Sequence, residues 1–443
     1  MNIKHCLPAA LLAVLPTVAT AAPTQLSLPE AVRQALAENH LLKAAGHEEQ
    51  AAVAGVKSSR SRYLPRITME EGAVLTNSPT RAFMLRLDEG RFSLAGDLNH
   101  PPTSGDFQTA FTLEQPLYDR RISTGAALAE KEREKSELTL KQRREEVALM
   151  TINAYLDAQQ ARAQAQVAEQ ALKDAGEHLR LAVARAGAGV GLKSDELRAR
   201  TYVAEMDQRL ITSRNDEQIA LLRLARTIGT DDGNGVAIGA PFVTTAATAA
   251  APELEQQAVA QRLDLKGLAT DVSRADLGVR MARSAFFPTL YSQARFQMND
   301  RDVPFGRDND AWLLGLSLRW DLFDGRQRCN ETDKARALKQ SAEEYLADQR
   351  QEVRLQVQES LLRRQEVAKR LEVAKHAVAD AAEGVRLLTK RYENSVALMV
   401  ELLDAQTTLN RAKTDVARLE AEYARATARV WFVSGTLLKE VMQ

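Results

Sequence analysis

The 443-residue chain carries 59 basic and 59 acidic residues, so its formal net charge is zero. Because neither sign dominates, the composition excludes a protein that binds nucleic acid through bulk positive charge. Aromatic residues make up only 5% of the chain and charged residues 27%, which is typical of long helices with much exposed surface. We therefore expect a mainly α-helical protein with no nucleic-acid partner.

The first residues have the pattern of a secretory signal peptide. Lys4 supplies a positive start, residues 7–18 form an apolar run, and residues 19–21 (ATA) are a typical cleavage site. We predict that residues 1–21 are removed. An N-terminal membrane anchor is the alternative, although the apolar run is shorter than the ~20 residues that a spanning helix needs.

The predicted mature chain keeps Cys329 as its only cysteine, so it forms no internal disulfide. No later segment offers a run of about 18 apolar residues, and a transmembrane helix is therefore not expected. These features are typical of an exported protein that is periplasmic, secreted or an outer-membrane β-barrel.

The chain contains an internal duplication. Three pairs of similar segments recur in the same order: 52–67 with 275–290, 117–121 with 322–326, and 185–200 with 391–406. We predict a first repeat over 22–229, a linker over 230–252 that is rich in small and turn-forming residues, and a second repeat over 253–443.

Both repeats have the same predicted order of elements. A helix precedes a proline, two strands follow, and a very long helical tract closes the repeat. The predicted helices cover 27–62 and 253–285, the tracts cover 121–229 and 326–440, and turns at 187–191 (GAGVG) and 394–395 divide the tracts.

The predicted strands alternate apolar and polar residues. In WLLGLSLRWDLF (312–323), Trp312 and Trp320 share one apolar face, and Phe107 and Phe111 begin a similar face in the first repeat. Period-two alternation indicates a half-exposed strand. Strands of about ten residues with aromatic ends fit a membrane barrel, where these four aromatics would form a girdle. A soluble sheet packed on helices remains the alternative.

Four strands per chain are too few to close a membrane barrel, whose smallest common size is eight. Since lipid does not tolerate an open sheet edge, a membrane location requires an oligomer with a shared barrel. The first hairpin loop is also the longer one, with its additional residues inside 77–106.

The chain resembles the TolC family of outer-membrane efflux proteins over its predicted mature length. The resemblance lies in LSLPEAVRQALAENHLLKAA (26–45), YLPRI and FFPTL before the hairpins, EQPLYD and RWDLFDG after them, and RYENSVALMVELLDAQTTLNRA (391–412).

This resemblance implies a homotrimer in the outer membrane of a Gram-negative bacterium. Each protomer would give four strands to a 12-stranded barrel and long helices to a periplasmic α-barrel. The trimer would be the exit duct of a tripartite efflux pump, or of a type I protein secretion system, and work with a periplasmic adaptor and an inner-membrane transporter. No cofactor is implied. The alternative from a different functional class is a periplasmic coiled-coil adaptor or structural protein without a barrel.

The resemblance also assigns a gate. Glu401 and Asp404 match acidic positions that ring the periplasmic aperture, and Tyr392 matches a tyrosine that is linked to a polar pair, here Ser194 and Asp195. The arginine expected nearby is Ala397, which places the usual link between helices in doubt. We expect Arg391 or Lys193 to replace it.

The two turns would meet the adaptor. The resemblance assigns docking to the residues at the helix tips: Gly189, Val190, Gly191, Ser395, Val396 and Leu398.

An enzyme is not expected from the sequence. It lacks a Walker loop, a dinucleotide fingerprint, and the HExxH and G-x-S-x-G motifs. His40 and His47 are seven residues apart, which is weak evidence for a metal site, and none is predicted.

Overall fold

A computed structural model describes residues 24–93, 95, 97–230, 236–239 and 250–442. The predicted signal peptide and most of the predicted linker lie outside these ranges. Within them, no helix combines the length and apolar character that crossing a membrane requires.

The structure is mostly helical, with one four-stranded sheet and one small two-stranded sheet. In chain order the elements are β1 (Thr24–Leu26), α1 (Leu28–Glu38), α2 (His40–Ser61), β2 (Arg66–Thr76), α3 (Pro79–Asp88), β3 (Ser104–Tyr118), α4 (Arg120–Gly187), α5 (Lys193–Ile228), β4 (Val236–Ile238), α6 (Ala251–Gln261), α7 (Leu263–Ser284), β5 (Thr289–Asp300), β6 (Asn309–Arg319), α8 (Gln327–Glu393), α9 (Met399–Ser434) and α10 (Leu437–Met442).

The first predicted helix of each repeat is divided in two, which corrects the prediction of one helix over 27–62 and one over 253–285. Asn39 separates α1 from α2 because its side chain accepts a hydrogen bond from Leu41 N at 2.9 Å and donates one to Thr227 O at 2.8 Å. An asparagine that accepts from the backbone two residues later is a typical N-cap. Arg262 takes the corresponding position between α6 and α7.

The four long strands form one antiparallel sheet in the order β2-β3-β5-β6. The register aligns apolar residues in rows across one face: Met69, Phe111, Phe296 and Trp312 in one row, and Ile67, Leu113, Ala294 and Leu314 in the next. The opposite face carries more polar rows, such as Glu70, Ala110, Gln297 and Ala311. The predicted alternation is therefore confirmed, and the apolar face is the exposed one.

The predicted girdle aromatics occupy different heights on this sheet. Phe111 and Trp312 share one row, whereas Phe107 is half-buried at the loop end, where it pairs with Ala73 and Asp300. Trp320 follows β6 at the helix end, and its indole N–H donates to Phe286 O at 3.1 Å.

Two long helices, α4 and α8, run from the sheet to the opposite end of the protein, and α5 and α9 return from there to the middle. At 1.5 Å per residue, the 68-residue α4 is about 100 Å long. Asp119 is the N-cap of α4, and its side chain accepts a hydrogen bond from Arg121 N at 2.9 Å. Helix α4 packs against α5 and α9, while α8 packs against α9. In the half of the helical layer next to the turns, the order α5, α4, α9, α8 leaves α5 and α8 at the edges.

The main core lies midway along the helices, where α1, α4, α5, α9 and α10 meet. Tyr155 of α4 is fully buried there, and its hydroxyl donates to Leu26 O at 3.0 Å. Leu26 belongs to β1, which pairs in parallel with β4. This small sheet was not predicted, because three-residue strands have no readable alternation.

Candidate aperture at the helix tips

The turns at the far end of the helices have the same backbone conformation in both repeats. Gly189 has a φ of 75° and Ser395 a φ of 65°. Val190 N donates to Arg185 O at 3.1 Å, and Val396 N donates to Arg391 O at 2.8 Å. A left-handed residue followed by such a bond is the usual end of an α-helix. The duplication seen in the sequence is therefore preserved in the geometry.

Arg185 connects the two turns. Its Nη1 donates to the carbonyl oxygens of Tyr392 and of Glu393, the latter at 2.7 Å, and its Nη2 donates to Ser395 Oγ at 2.7 Å. Its guanidinium also lies 4.7 Å from the centre of the Tyr392 ring. The last carbonyls of a helix lack helical partners and carry partial negative charge, so a cation is well placed there.

Within one protomer, Arg185 makes the link between the turns that was expected of Arg391 or Lys193. Lys193 Nζ binds Glu196 Oε2 at 2.7 Å on its own helix, and Arg391 is the exposed counterpart of Arg185. The signal available in the sequence was the match of Arg185 with Arg391, since both end a long helix. Only the fold shows which of them faces the other repeat.

Tyr392 is 2% exposed, and its ring belongs to an apolar cluster with Tyr202, Met399 and Leu402. Its hydroxyl has no hydrogen-bond partner among the described residues. Burial and the nearby charge of Asp195 raise the pKa of Tyr392. The expected hydrogen bond from Tyr392 to Ser194 or Asp195 is therefore not formed within one protomer.

Glu401 and Asp404 lie on the exposed side of α9, near its start. Glu401 Oε2 accepts a hydrogen bond from Leu398 N at 3.0 Å, so this acid also caps the helix. Asp195 is the third residue of α5, as Glu401 is of α9. Each return helix thus carries an acid in its first turn, where the helix dipole favours negative charge.

Exposed apolar side chains surround the two turns. Val190 is 65% exposed and Val396 64%, and Leu192 and Leu398 are 60% and 58% exposed. The four form two pairs related by the duplication. Leu192 was missing from the sequence prediction, although its match with Leu398 would have identified it. Gly191 is required for packing, because a Cβ there would lie 2.9 Å from Ala186 N.

A buried polar network lies behind the aperture. Gln406 is almost fully buried, and its Nε2 donates to Asp174 Oδ2 at 3.1 Å and to Asn410 Oδ1 at 3.2 Å. Its Oε1 lies 3.4 Å from His178 Nε2, and Asn410 Nδ2 donates to the Tyr202 hydroxyl at 3.3 Å. The network joins α4, α5 and α9, and no sequence motif indicated it.

Across the part of the chain that the structure describes, no cluster of three or more His, Cys, Asp or Glu side chains is arranged to hold a metal ion. Cys329 is exposed near the start of α8.

Comparison with known proteins identifies the family. The model of the outer membrane efflux protein family matches residues 31–230 and 254–436. The chain belongs to this family. The matched residues span both repeats and both turns.

Related proteins include efflux and secretion components. The alkaline protease secretion protein AprF of Pseudomonas aeruginosa is 23% identical over 363 residues, which cover 77% of this chain and 74% of AprF. The toluene efflux pump outer membrane protein TtgI of Pseudomonas putida is 25% identical, and the match covers 53% of this chain and 50% of TtgI.

Solved channel structures have the same fold. The CusC structure has a TM-score of 0.77 at 16% identity, with 92% of each chain covered. The open-state structure of the Neisseria gonorrhoeae MtrE outer membrane channel has a TM-score of 0.76 at 18% identity, covering 94% of this chain and 90% of MtrE. This member of the outer membrane efflux protein family is an outer-membrane exit duct with a large periplasmic part.

Proposed function

We propose that the chain forms a homotrimer that acts as the exit duct of a tripartite efflux pump. Three sheets would close one 12-stranded barrel, and the long helices would continue it as a periplasmic tube. A periplasmic adaptor would join the helix tips to an inner-membrane transporter, which supplies the energy. The duct itself would be passive and would carry no catalytic site.

The observation that carries this proposal is a sheet with one apolar exposed face and two edges. Within the described chain, β2 and β6 are the edge strands. In lipid every backbone polar group needs a partner, so an open four-stranded sheet is not stable there. Pairing of β6 with β2 of the next copy satisfies both edges, and a closed ring then results.

The helices support the same assembly. The edge helix α5 exposes Leu197, Ile211 and Leu222, and the part of α8 between the central core and the turns exposes Leu362, Val373 and Leu387. Successive members of each set are 14 or 11 residues apart, close to whole numbers of helical turns, so each set lies on one stripe of its helix. The α5 edge of one copy would pack on the α8 edge of the next, in the same order as the strands.

The height of the apolar face fits an outer membrane. Trp312 and Trp320 are eight residues apart, which is about 27 Å along a strand. A tilt of about 40° reduces this to roughly 21 Å, close to the ~25 Å apolar band of such barrels. The two tryptophans would then mark the two membrane interfaces.

At the tips, threefold symmetry would turn Glu401 and Asp404 into a ring of carboxylates. Such a ring favours cations over anions in a narrow opening. Arg185 would hold the closed state, because it ties the end of α4 to the end of α8 next to the aperture. The adaptor would bind the exposed pairs Val190 with Val396 and Leu192 with Leu398.

Type I protein secretion is the second candidate. It is favoured by the match with AprF, which covers more of this chain than the match with TtgI does. Both systems would use the same duct, so the difference lies in the transporter. A periplasmic adaptor or spacer protein without a barrel is disfavoured by the exposed apolar rows on the sheet.

Cell fractionation and planar-bilayer recording test the proposal together. We expect a detergent-extracted trimer from the outer membrane that dissociates on heating and conducts ions in a bilayer. Recovery as a soluble periplasmic monomer would refute the channel. To separate the two systems, deletion strains are compared for drug sensitivity and for loss of a secreted protein. Efflux predicts drug sensitivity with an unchanged set of secreted proteins.

A further inference from the structure

The β2–β3 connection at the loop end of the sheet contains a folded cap, defined here as residues 78–92. It includes the helix α3, which begins at Pro79. Ala82 is fully buried, and the rings of Phe83 and Phe92 meet edge to face with centres 4.8 Å apart. The cap thus has a small apolar core of its own, so it is more than an open loop.

The cap lies on the polar face of the sheet. Asn309 Nδ2 donates to Asp88 O at 2.7 Å, and Arg86 Nη2 donates to Ser104 Oγ at 3.4 Å. Asn309 begins β6 and precedes Trp312 by three residues, so it points away from the apolar face. A Cβ added at Gly90 would lie 3.5 Å from the Asn309 side chain, which again places the cap over this face.

The contacts also fix where the cap sits along the sheet. Ser104 and Asn309 are the first residues of β3 and β6, which are separated by β5. The C-terminal end of α3 therefore crosses the sheet at its rim. Beneath it Asn299 Nδ2 donates to Asp106 Oδ2 at 2.5 Å, and Glu89 and Asp106 are both buried.

We infer that three copies of the cap narrow the outer mouth of the duct, and so form a second constriction at the end opposite the aperture. This inference rests on the proposed trimeric barrel, whose polar face is the lumen. Twelve strands about 4.8 Å apart, tilted by about 40°, give a backbone diameter of roughly 24 Å. A helix with its side chains is about 10 Å wide. Three such helices at the rim leave little of that opening free.

The junction between cap and sheet is polar and incompletely paired. Glu89 Oε1 and Asp106 Oδ1 are buried without a hydrogen-bond partner among the described residues. A buried acceptor without a partner weakens the contact that buries it. The constriction thus restricts the entry of external solutes, yet outgoing cargo can displace it more easily than it could displace an apolar plug.

The test measures which polymers enter the lumen from the outer side. Mature protein is added to one chamber of a planar bilayer, and its long helical part stays on that side. Polyethylene glycols of graded size are then added to either chamber, since a polymer that enters the lumen lowers the conductance. The variant replaces residues 77–103 by Asn-Gly, because the register pairs Thr76 with Ser104 and a two-residue turn fits that pair.

We expect the exclusion radius on the loop side to rise about twofold in this variant, because three helices of about 10 Å leave the mouth. The exclusion radius on the helix side should stay unchanged. Asn309→Ala, which removes the hydrogen bond to Asp88 O, should raise the loop-side exclusion radius by less. Val303→Ser on the β5–β6 connection should leave that radius unchanged. If the replacement variant conducts and its exclusion radius on the loop side is unchanged, the inference about the cap is wrong, while the proposed channel is not affected. Failure of the unmodified protein to conduct would instead count against the proposed channel.

Discussion

Arg185 Nη2 lies 2.7 Å from Ser395 Oγ, a contact between side chains 210 positions apart in the chain. Ser395 occupies a left-handed backbone conformation that a residue with a side chain seldom adopts. The same guanidinium binds the last carbonyl oxygens of α8. One cation of the first repeat therefore stabilises the strained turn of the second, and it does so beside the proposed gate.

Replacing Arg185 with alanine should enlarge the aperture. The change removes the hydrogen bonds that hold the α4 end to the α8 end, and the carbonyls of a helix terminus lose their cation. We expect a several-fold rise in single-channel conductance in planar bilayers. Arg391→Ala is the matched control, since it occupies the same position of the other repeat and is exposed. Equal conductance of the two variants would contradict the role of Arg185.

Neutralising Glu401 and Asp404 should weaken cation selectivity. The combined Glu401→Gln and Asp404→Asn variant removes the charge, while the amide oxygen of glutamine can still accept from Leu398 N. We expect reduced block by trivalent cations added on the helix side, and a lower ratio of cation to anion permeability. Alanine at both positions should do the same and also loosen the first turn of α9 by about 1 kcal/mol, the usual cost of a lost cap. Unchanged selectivity in the amide variant would contradict the placement of Glu401 and Asp404 at the aperture.

The two faces of β6 should respond differently to a charge. Leu314 lies in the apolar row with Leu113, while Leu313 is its neighbour on the opposite face. Arginine at position 314 would face lipid near the middle of the strand and should destabilise the trimer by about 2–4 kcal/mol. Arginine at position 313 would face the lumen and should cost far less.

These variants are compared by the temperature at which the purified trimer dissociates in detergent. A soluble sheet packed on helices predicts the opposite order or no difference, so the comparison separates the two interpretations of the strands.

The stability of the chain should fall at acid pH through Asp264. Burial opposes its ionisation, but the Arg262 guanidinium, which binds both carboxylate oxygens at 3.0 Å and 2.7 Å, outweighs this and lowers the pKa of Asp264. A carboxyl group with a lowered pKa stabilises the folded state above its unfolded value and loses that contribution as the pH falls through the folded value. The loss should therefore begin below about pH 4.

Asp264→Asn should lower the free energy of unfolding by about 2 kcal/mol near neutral pH and flatten its decline in acid. Urea unfolding followed by circular dichroism between pH 3 and 7 measures both effects. Glu383→Gln is the control, since its pair with Arg386 is exposed and should contribute nothing measurable. An acid profile identical to that of the unmodified protein would refute the role of Asp264.

The sequence by itself determined the elements that depend on local pattern. The period-two rows around Trp312 and Phe111 identified strands and their apolar face, because side chains alternate along any strand. The match of 185–200 with 391–406 located both turns, since duplicated segments keep the same backbone conformation. Composition was enough to predict long helices, because few aromatics and many charges cannot fill a thick core.

Only the tertiary structure decided which side chains meet. Arg185 and Arg391 end equivalent helices. The packing of α4 against α9 brings Arg185 to the turn of the second repeat, whereas Arg391 stays exposed. The network around Gln406 and the contact of the cap with Asn309 likewise join residues that are far apart in the chain and follow no motif. Long-range contacts of this kind depend on how helices and strands are arranged in space, which local periodicity does not encode.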